Sequence, residues 1–505
     1  MFTETRLFCY LWVFRLVNAY LNQTFFVPDE YWQTLEVAHH WVFGYGYLTW
    51  EWKEKIRSFA HPLIFAICFE ILKLCRLDDT KWLIVLPYII QAFFAALLDL
   101  YTYKTANRIF GSITAKFTLF CSIISWFNFF CSTRLLANSL EASLTIMALY
   151  YWPFTNLIAN LPHEVWLKQL SKALSLAVLA CVLRPTTVVI WIFLGLVLLV
   201  KKANYFLPII YRVITIGALG VAGMVTIDYG FYGEWILVPY NFYDFNVTRN
   251  ISLFYGSHPW HWYLSQGLPI ISTTFIPFWI YGAIKSKHRE LFFAAIWVSF
   301  GYSLLGHKEF RFIYIILPIL LMYSGHGLAY LVTNKWRSYK VHLLLFLVLT
   351  NVPMAIYMSQ VHQRGVVDVM DYLKQEAHRT DSNGQSPLKD IGFLMPCHST
   401  PYYAHLHKNI NMWFITCQPP LNLTSANDYK DESDVFYEDP LGFLNTNFEP
   451  NGSRKWPSHL VLFEALVEQI RPKLAAHGYH ECARIFNSHF HDDSRRNGAV
   501  LVYCM

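Results

Sequence analysis

Charge is scarce in this 505-residue chain. Lys, Arg, Asp and Glu make up 15% of it, where a soluble domain carries roughly 25%. Hydrophobic residues reach 55%, aromatic residues 18%, and mean hydropathy is positive. These values exclude an ordinary water-soluble globule and imply a polytopic membrane protein. No cleavable leader is expected, because Arg15 interrupts the first apolar run and no small-x-small site follows it. No Cys-x-x-Cys pair and no His-Glu-x-x-His run occurs, so no metal centre or cofactor is expected. No internal repeat points to an inverted-repeat transporter. The net charge of +6 lies in loop Lys and Arg that orient membrane spans, and it gives no reason to invoke nucleic acid.

Apolar runs are what the chain has instead. They recur at 7–24, 83–103, 117–131, 136–152, 170–183, 186–200, 204–226, 268–284, 291–305, 311–332 and 342–358, about eleven transmembrane helices. Several are shorter than the roughly 20 residues an upright span needs. The basic clusters Lys104/Arg108/Lys116, Lys201-Lys202, Lys285/Lys287/Arg289 and Lys335/Arg337/Lys340 belong on the cytosolic side, as does the N-terminus. The first loop (24–82), the loop 227–267, the His307–Arg311 turn and everything after 360 then fall on the far, luminal side. So do the candidate N-glycosylation sequons at Asn246, Asn250, Asn422 and Asn451, and Asn22-Gln-Thr. That parity requires 61–77, punctuated by Glu70, Lys73 and Arg76, to lie on the luminal surface as a juxtamembrane helix.

Residues 1–359 are therefore expected to form the transmembrane module, and 360–505 a small C-terminal luminal α/β domain. The run Asp390-Ile-Gly-Phe-Leu-Met-Pro suits a buried strand ending at Pro396. Cys9, Cys68, Cys75, Cys121, Cys131 and Cys181 lie in apolar stretches and read as small packing residues. Cys397, Cys417, Cys482 and Cys504 lie in the polar part, where four cysteines allow three pairings and the sequence does not choose.

Four places carry chemistry. Pro28-Asp29-Glu30 reads as the first turn of a helix, where proline is allowed and an ionised acid is favoured by the dipole. Asp29, Gln33, Glu36 and His40 follow at spacings of one helical face. Plain helix capping is the alternative, but Trp and Tyr make better membrane-boundary anchors than carboxylates do. His307-Lys308-Glu309-Phe310-Arg311 packs four titratable groups into a turn; it either holds an anionic phosphate through Lys308 and Arg311, or consists of snorkelling cations with Glu309 as internal partner. Arg134 and Arg184 sit at span ends, where a binding role competes with pairing to Glu141 or a carbonyl. The aromatic loop 227–267 contains His258 and His261, which could cover a glycan or lie among headgroups.

Val27-Pro-Asp-Glu-Tyr-Trp-Gln-Thr-Leu-Glu-Val-Ala-His-His40, Tyr47-Leu-Thr-Trp-Glu-Trp52 and His307-Lys-Glu-Phe-Arg-Phe-Ile-Tyr314 resemble family 22 of the GT-C glycosyltransferases. Tyr255-Gly-Ser-His-Pro-Trp-His-Trp-Tyr263, Val361-His-Gln-Arg-Gly365 and Met395-Pro-Cys-His-Ser-Thr-Pro-Tyr-Tyr403 extend the resemblance over nearly the whole chain. It implies a GT-C fold and a glycosyltransferase of the endoplasmic reticulum membrane, which is continuous with the nuclear envelope. The activity implied is α-1,2-mannosyl transfer: the third mannose passes from dolichyl-phosphate mannose to the dimannosyl precursor of the glycosylphosphatidylinositol (GPI) anchor, with inversion and without a metal. The partners implied are those two lipid-borne substrates and membrane lipids. The family pattern puts the catalytic base on Asp29, with Glu30 as orienting neighbour, and the donor-phosphate contacts on Arg134, Lys308 and Arg311. His307, Arg184 and His258 join them as candidate substrate-binding residues. A sibling enzyme acting on the dolichol-linked oligosaccharide or adding the fourth GPI mannose shares these signatures. A transporter or scramblase would instead put its charges at mid-span and show related halves.

Overall fold

Each of the eleven apolar runs carries helix in the computed structural model, which describes residues 4–379, 386–421, 429–448 and 452–505. Among these residues, six helices are long and apolar enough to cross a membrane by length and composition. The run at 117–131 contains a bend of 67° between Ser112–Ile124 and Trp126–Ser132, and the pair counts as a seventh span if taken together. Pro185–Lys201 and Glu290–Ser303 are apolar but shorter. Glu4–Leu21 buries Arg15 and Asn18, and Ala137–Tyr151 is only 15 residues long. Apolar runs therefore located helices, but not every run is one helix long enough to span, because several here are broken or short.

The chain divides into two compact units: Met1–Asn22, Lys55–His61 and Leu86–Ile356 form the first, and Gln23–Glu54, Pro62–Val85 and Tyr357–Met505 the second. The division groups most of the first loop with the C-terminal residues, across the boundary expected at 360.

In the first unit, close helix packing rests on small residues. A Cβ on Gly282 would lie 2.0 Å from the Tyr323 carbonyl oxygen, and one on Gly327 would lie 2.2 Å from that of Phe278. The Ile276–Lys285 and Leu317–Tyr330 helices thus meet backbone to backbone, as helices do where lipid removes the hydrophobic drive to associate. A Cβ on Gly325 would meet the backbone of Thr118 at 2.5 Å, so the Leu317–Tyr330 helix is gripped on a second side.

A polar network runs through the same unit. The fully buried Arg15 donates two hydrogen bonds to the Asp99 carboxylate, at 2.6 and 2.9 Å, and a third to Asn18 at 2.8 Å. Asp99 also accepts from the Ser122 hydroxyl at 2.7 Å, and Asn128 accepts from the Tyr314 hydroxyl at 2.7 Å.

The second unit contains a five-stranded sheet ordered β2-β1-β3-β5-β4, with β1 Asp390–Leu394, β2 Asn411–Phe414, β3 His459–Phe463, β4 His480–Ile485 and β5 Val500–Cys504. β1 runs parallel to β2 and β3, while β5 runs antiparallel to β3 and β4. Ile391–Leu394 are buried, as the apolar run requires, and a Cβ on Gly392 would collide with the Trp413 ring at 2.3 Å. Leu394, Leu460, Leu462, Leu466, Ile470 and Leu501 are among the core residues that the Glu464–Ala476 helix covers. The pairing left open by the sequence is Cys397–Cys417 and Cys482–Cys504. An α/β fold closed by two disulfides is the arrangement expected of an oxidising compartment. Ala60–Leu74 is a helix where the sequence placed a juxtamembrane one.

Arg15→Met should cost about 3–5 kcal/mol, because Asp99 is left buried without its cation, whereas Arg15→Met with Asp99→Leu should recover most of that loss. Thermal unfolding of the detergent-purified variants measures both.

Candidate active site

Pro28 opens the helix that carries the carboxylate pair: the Tyr31 and Trp32 amides both donate to its carbonyl at 3.0 Å. Asp29 is half-buried in that first turn, and Glu30 is buried. The run Asp29, Gln33, Glu36 and His40 contains a π-helical turn, Tyr31–Leu35. Glu36 is buried, accepting the backbone N–H of Tyr47 at 3.0 Å and of Ala404 at 2.9 Å. Burial pushes its carboxyl up to about 7, against the downward pull of the Ala404, Tyr47 and Tyr403 amides. Gln33 donates to the Glu51 carboxylate.

The segment after Cys397 lies along this helix turn by turn. The Trp32 indole donates to the Thr400 carbonyl at 2.9 Å, stacks on Tyr402 and meets the His398 ring at a centroid distance of 4.4 Å. One turn on is the Glu36–Ala404 bond; beyond it, His39 Nε2 lies 2.9 Å from His407 Nδ1. His39 Nδ1 faces the Tyr45 carbonyl at 3.1 Å, which can only accept, so Nδ1 carries the proton and Nε2 accepts from His407. Burial and His407 pull the His39 imidazole down to about 3, so the pair is neutral. His398 is an L-residue at φ +54, next to the Cys397–Cys417 bridge.

In the first unit, two of the candidate cations, Arg184 and Arg311, meet at Phe312. The guanidinium carbons of Arg184 and Arg311 each lie 5.3 Å from that ring. Arg311 makes two hydrogen bonds to Glu309, at 2.6 and 2.7 Å, and His307 Nε2 lies 3.2 Å from the same carboxylate. Burial raises the Glu309 carboxyl, but Arg311 and His307 outweigh it and hold the group well below the usual carboxylate range. Glu141 pairs with Arg184 at 2.9 Å and accepts from the Thr187 hydroxyl. Asn138 ties the two ends together, donating to the Arg311 carbonyl and accepting from Arg184, both at 3.1 Å.

Arg134 is buried one turn earlier, donating to the Phe130 carbonyl at 3.0 Å and to Asn22 at 2.9 Å, with its guanidinium 4.0 Å from the Phe130 ring. The buried Lys308 ammonium donates to the carbonyls of His258, at 2.9 Å, and of Leu305. His258 itself is exposed; its amide donates to Gly306, and His307 Nδ1 faces the Gly256 carbonyl. Lys308 therefore fastens the 256–258 segment to the 305–311 turn. The side-chain amide of Asn22 donates to the Phe130 carbonyl at 2.9 Å. Asn246 donates to Phe242, Asn250 is exposed, and Asn422 and Asn451 lie outside the described residues.

Residues 6–407 match the Alg9-like mannosyltransferase family. The chain belongs to that family. It is 42% identical to "Mannosyltransferase APTG1" of Arabidopsis thaliana, over 99% of this chain and 92% of that protein. It is 40% identical to "GPI alpha-1,2-mannosyltransferase 3" of Homo sapiens, over 97% and 85%. In structure it is similar to ArnT from Cupriavidus metallidurans bound to undecaprenyl phosphate, with a TM-score of 0.59 over 99% of this chain and 97% of that one. At 13% identity that likeness concerns the fold, which is the GT-C membrane fold expected from the motifs.

Within this Alg9-like mannosyltransferase, sequence reasoning brought Arg184, His307, Lys308, Arg311 and His258 to one region but missed Asn138, Thr187 and the His398 contacts. Asn138 was legible, since it stands four residues after Arg134 and three before Glu141. The partners of Trp32, Glu36 and His39 lie 368 residues away, beyond the reach of any local pattern.

Glu36 also gives a pH signature. Its folded value of about 7 exceeds the ordinary 4.5, so its contribution is fully present below pH 4.5 and lost as pH rises through 7. Thermal melts should show the second unit losing about 3 kcal/mol across that window, and Glu36→Gln should flatten the slope.

Proposed function

We propose that the chain transfers the third mannose from dolichyl-phosphate mannose to the dimannosyl GPI-anchor precursor, forming an α-1,2 bond on the luminal side of the endoplasmic reticulum membrane. The observation that carries this reading is the near full-length likeness to "GPI alpha-1,2-mannosyltransferase 3" of Homo sapiens. Transfer from a β-linked phosphodolichol sugar to an α-linked product inverts the anomeric centre, so one in-line displacement suffices. Asp29, in the first turn of its helix, acts as the base that removes the acceptor hydroxyl proton. Glu30, buried beside it, orients Asp29 or the acceptor.

The departing lipid phosphate leaves as an anion and needs charge rather than a proton. Arg134, whose buried guanidinium donates to the Phe130 carbonyl and to Asn22, is the first candidate for that role. Arg184 and Arg311 extend the positive field around Phe312, tempered by Glu141 and Glu309. Because arginine supplies the positive charge, the reading requires no divalent metal. His307 and Lys308 shape the turn that presents Arg311, and in this reading the exposed His258 contacts substrate. Two disulfides, a cytosolic N-terminus and a luminal C-terminal α/β domain are consistent with one another in this topology.

Asp29→Asn should abolish transfer in a purified assay with dolichyl-phosphate mannose and a dimannosyl GPI acceptor, and cells relying on it should accumulate the two-mannose precursor. Normal surface anchoring in those cells removes Asp29 from the mechanism. Arg134→Ala should raise KM for the donor at least tenfold while leaving acceptor KM within twofold. Equal donor requirement in wild type and variant assigns Arg134 to the fold instead.

A further inference from the structure

The Met395–Tyr403 motif has no task in the transfer described above, yet its backbone is unusually constrained. Cys397 is bridged to Cys417 with a Cα–Cα distance of 5.8 Å, and the next residue, His398, adopts φ +54. A left-handed conformation is costly for a non-glycine residue and persists where surrounding structure enforces it, commonly at functional sites.

The register between this segment and the Asp29 helix says what the constraint aims at. His39 meets His407, Glu36 meets Ala404, and Trp32 meets Thr400 and Tyr402, at helical spacings of three and four. Running the same register back one turn from Trp32 brings Asp29 to the level of His398, whose ring already lies 4.4 Å from that of Trp32 and 5.1 Å from that of Phe414. The electrostatics agree. Burial pulls the His398 imidazole down to about 4, the Asp29 carboxylate pushes it up, and Arg496 pulls it down again. At neutral pH the ring is therefore uncharged and offers one N–H donor.

We propose that His398 is a positioning residue for the base, its ring N–H fixing the Asp29 carboxylate in the orientation that receives the acceptor proton. The disulfide and the left-handed turn hold the imidazole, the imidazole holds the carboxylate, and His398 itself never touches the sugar. The inference rests on Asp29 being the base.

The test uses full-length purified protein with dolichyl-phosphate mannose and the dimannosyl acceptor. His398→Phe keeps an aromatic ring against Trp32 and Phe414 but has no N–H; it should lower kcat roughly tenfold to a hundredfold with both KM values and the melting temperature unchanged. His398→Gln restores an N–H and should recover at least part of that kcat. Should the Phe variant not fold, His398→Ala against His398→Gln makes the same comparison. Wild-type kcat in the Phe variant overturns the proposal, as does an equal loss in variants with and without the N–H, or a loss seen only in KM. Asp29→Asn is run in parallel: if it stays active the base assignment fails, whereas an inactive Asp29→Asn beside a fully active His398→Phe sinks this inference alone.

Discussion

Arg15 and Asp99 form a bidentate ion pair at zero solvent exposure, and much of the first unit depends on it. An unpaired charge in an apolar interior costs several kcal/mol, so each partner fixes the other and the helices that bear them. The pair also recruits every polar group nearby. Asn18 and Ser122 bind it directly, and Asn128 links it to the Tyr314 hydroxyl. Tyr314 stands three residues after Arg311 on the Phe310–Ile316 turn. A structural ion pair deep in the helices thus fixes the register of the segment that presents the candidate phosphate cations.

The same rule of neutralisation organises the site itself. Arg184 with Glu141, and Arg311 with Glu309 and His307, form two compensated groups joined through Asn138 and Phe312. Lys308 uses carbonyl oxygens instead and so works as a clasp between two loops. A compensated site of this kind stays stable when empty, and an arriving anion can draw a guanidinium partly away from its carboxylate without leaving either charge exposed to lipid. Arg134 packs its guanidinium on the Phe130 ring and donates to the Phe130 carbonyl and to Asn22.

In the second unit, the helix carrying Asp29 is shaped by what packs on it. It includes a π turn, Tyr31–Leu35, and just beyond it Glu36 is buried where two amides receive it. Trp32, Glu36 and His39 then become three successive anchors for the chain after Cys397. The first-loop helix and the strands of the α/β fold belong to one compact body for that reason.

How much could be read beforehand follows from the range of each interaction. Apolar length, basic clusters and the run ending at Pro396 are local patterns, and they located the helices, β1 and the Asp29-Glu30 turn directly from the order of residues. The resemblance of the first-loop and His307–Tyr314 motifs gave the family in the same way. Which carboxylate pairs with which guanidinium is not a local property. Glu141 stood equally open to Arg134 and Arg184 until the folded chain brought Arg184 within 2.9 Å of it. The pairing of the four polar-region cysteines, the amide partners of Glu36, and the laying of His398–His407 along the Asp29 helix were likewise decided only in three dimensions. Each depends on two segments meeting across the chain, and in a low-dielectric interior the nearest opposite charge or hydrogen-bond partner in space, not in sequence, sets the outcome.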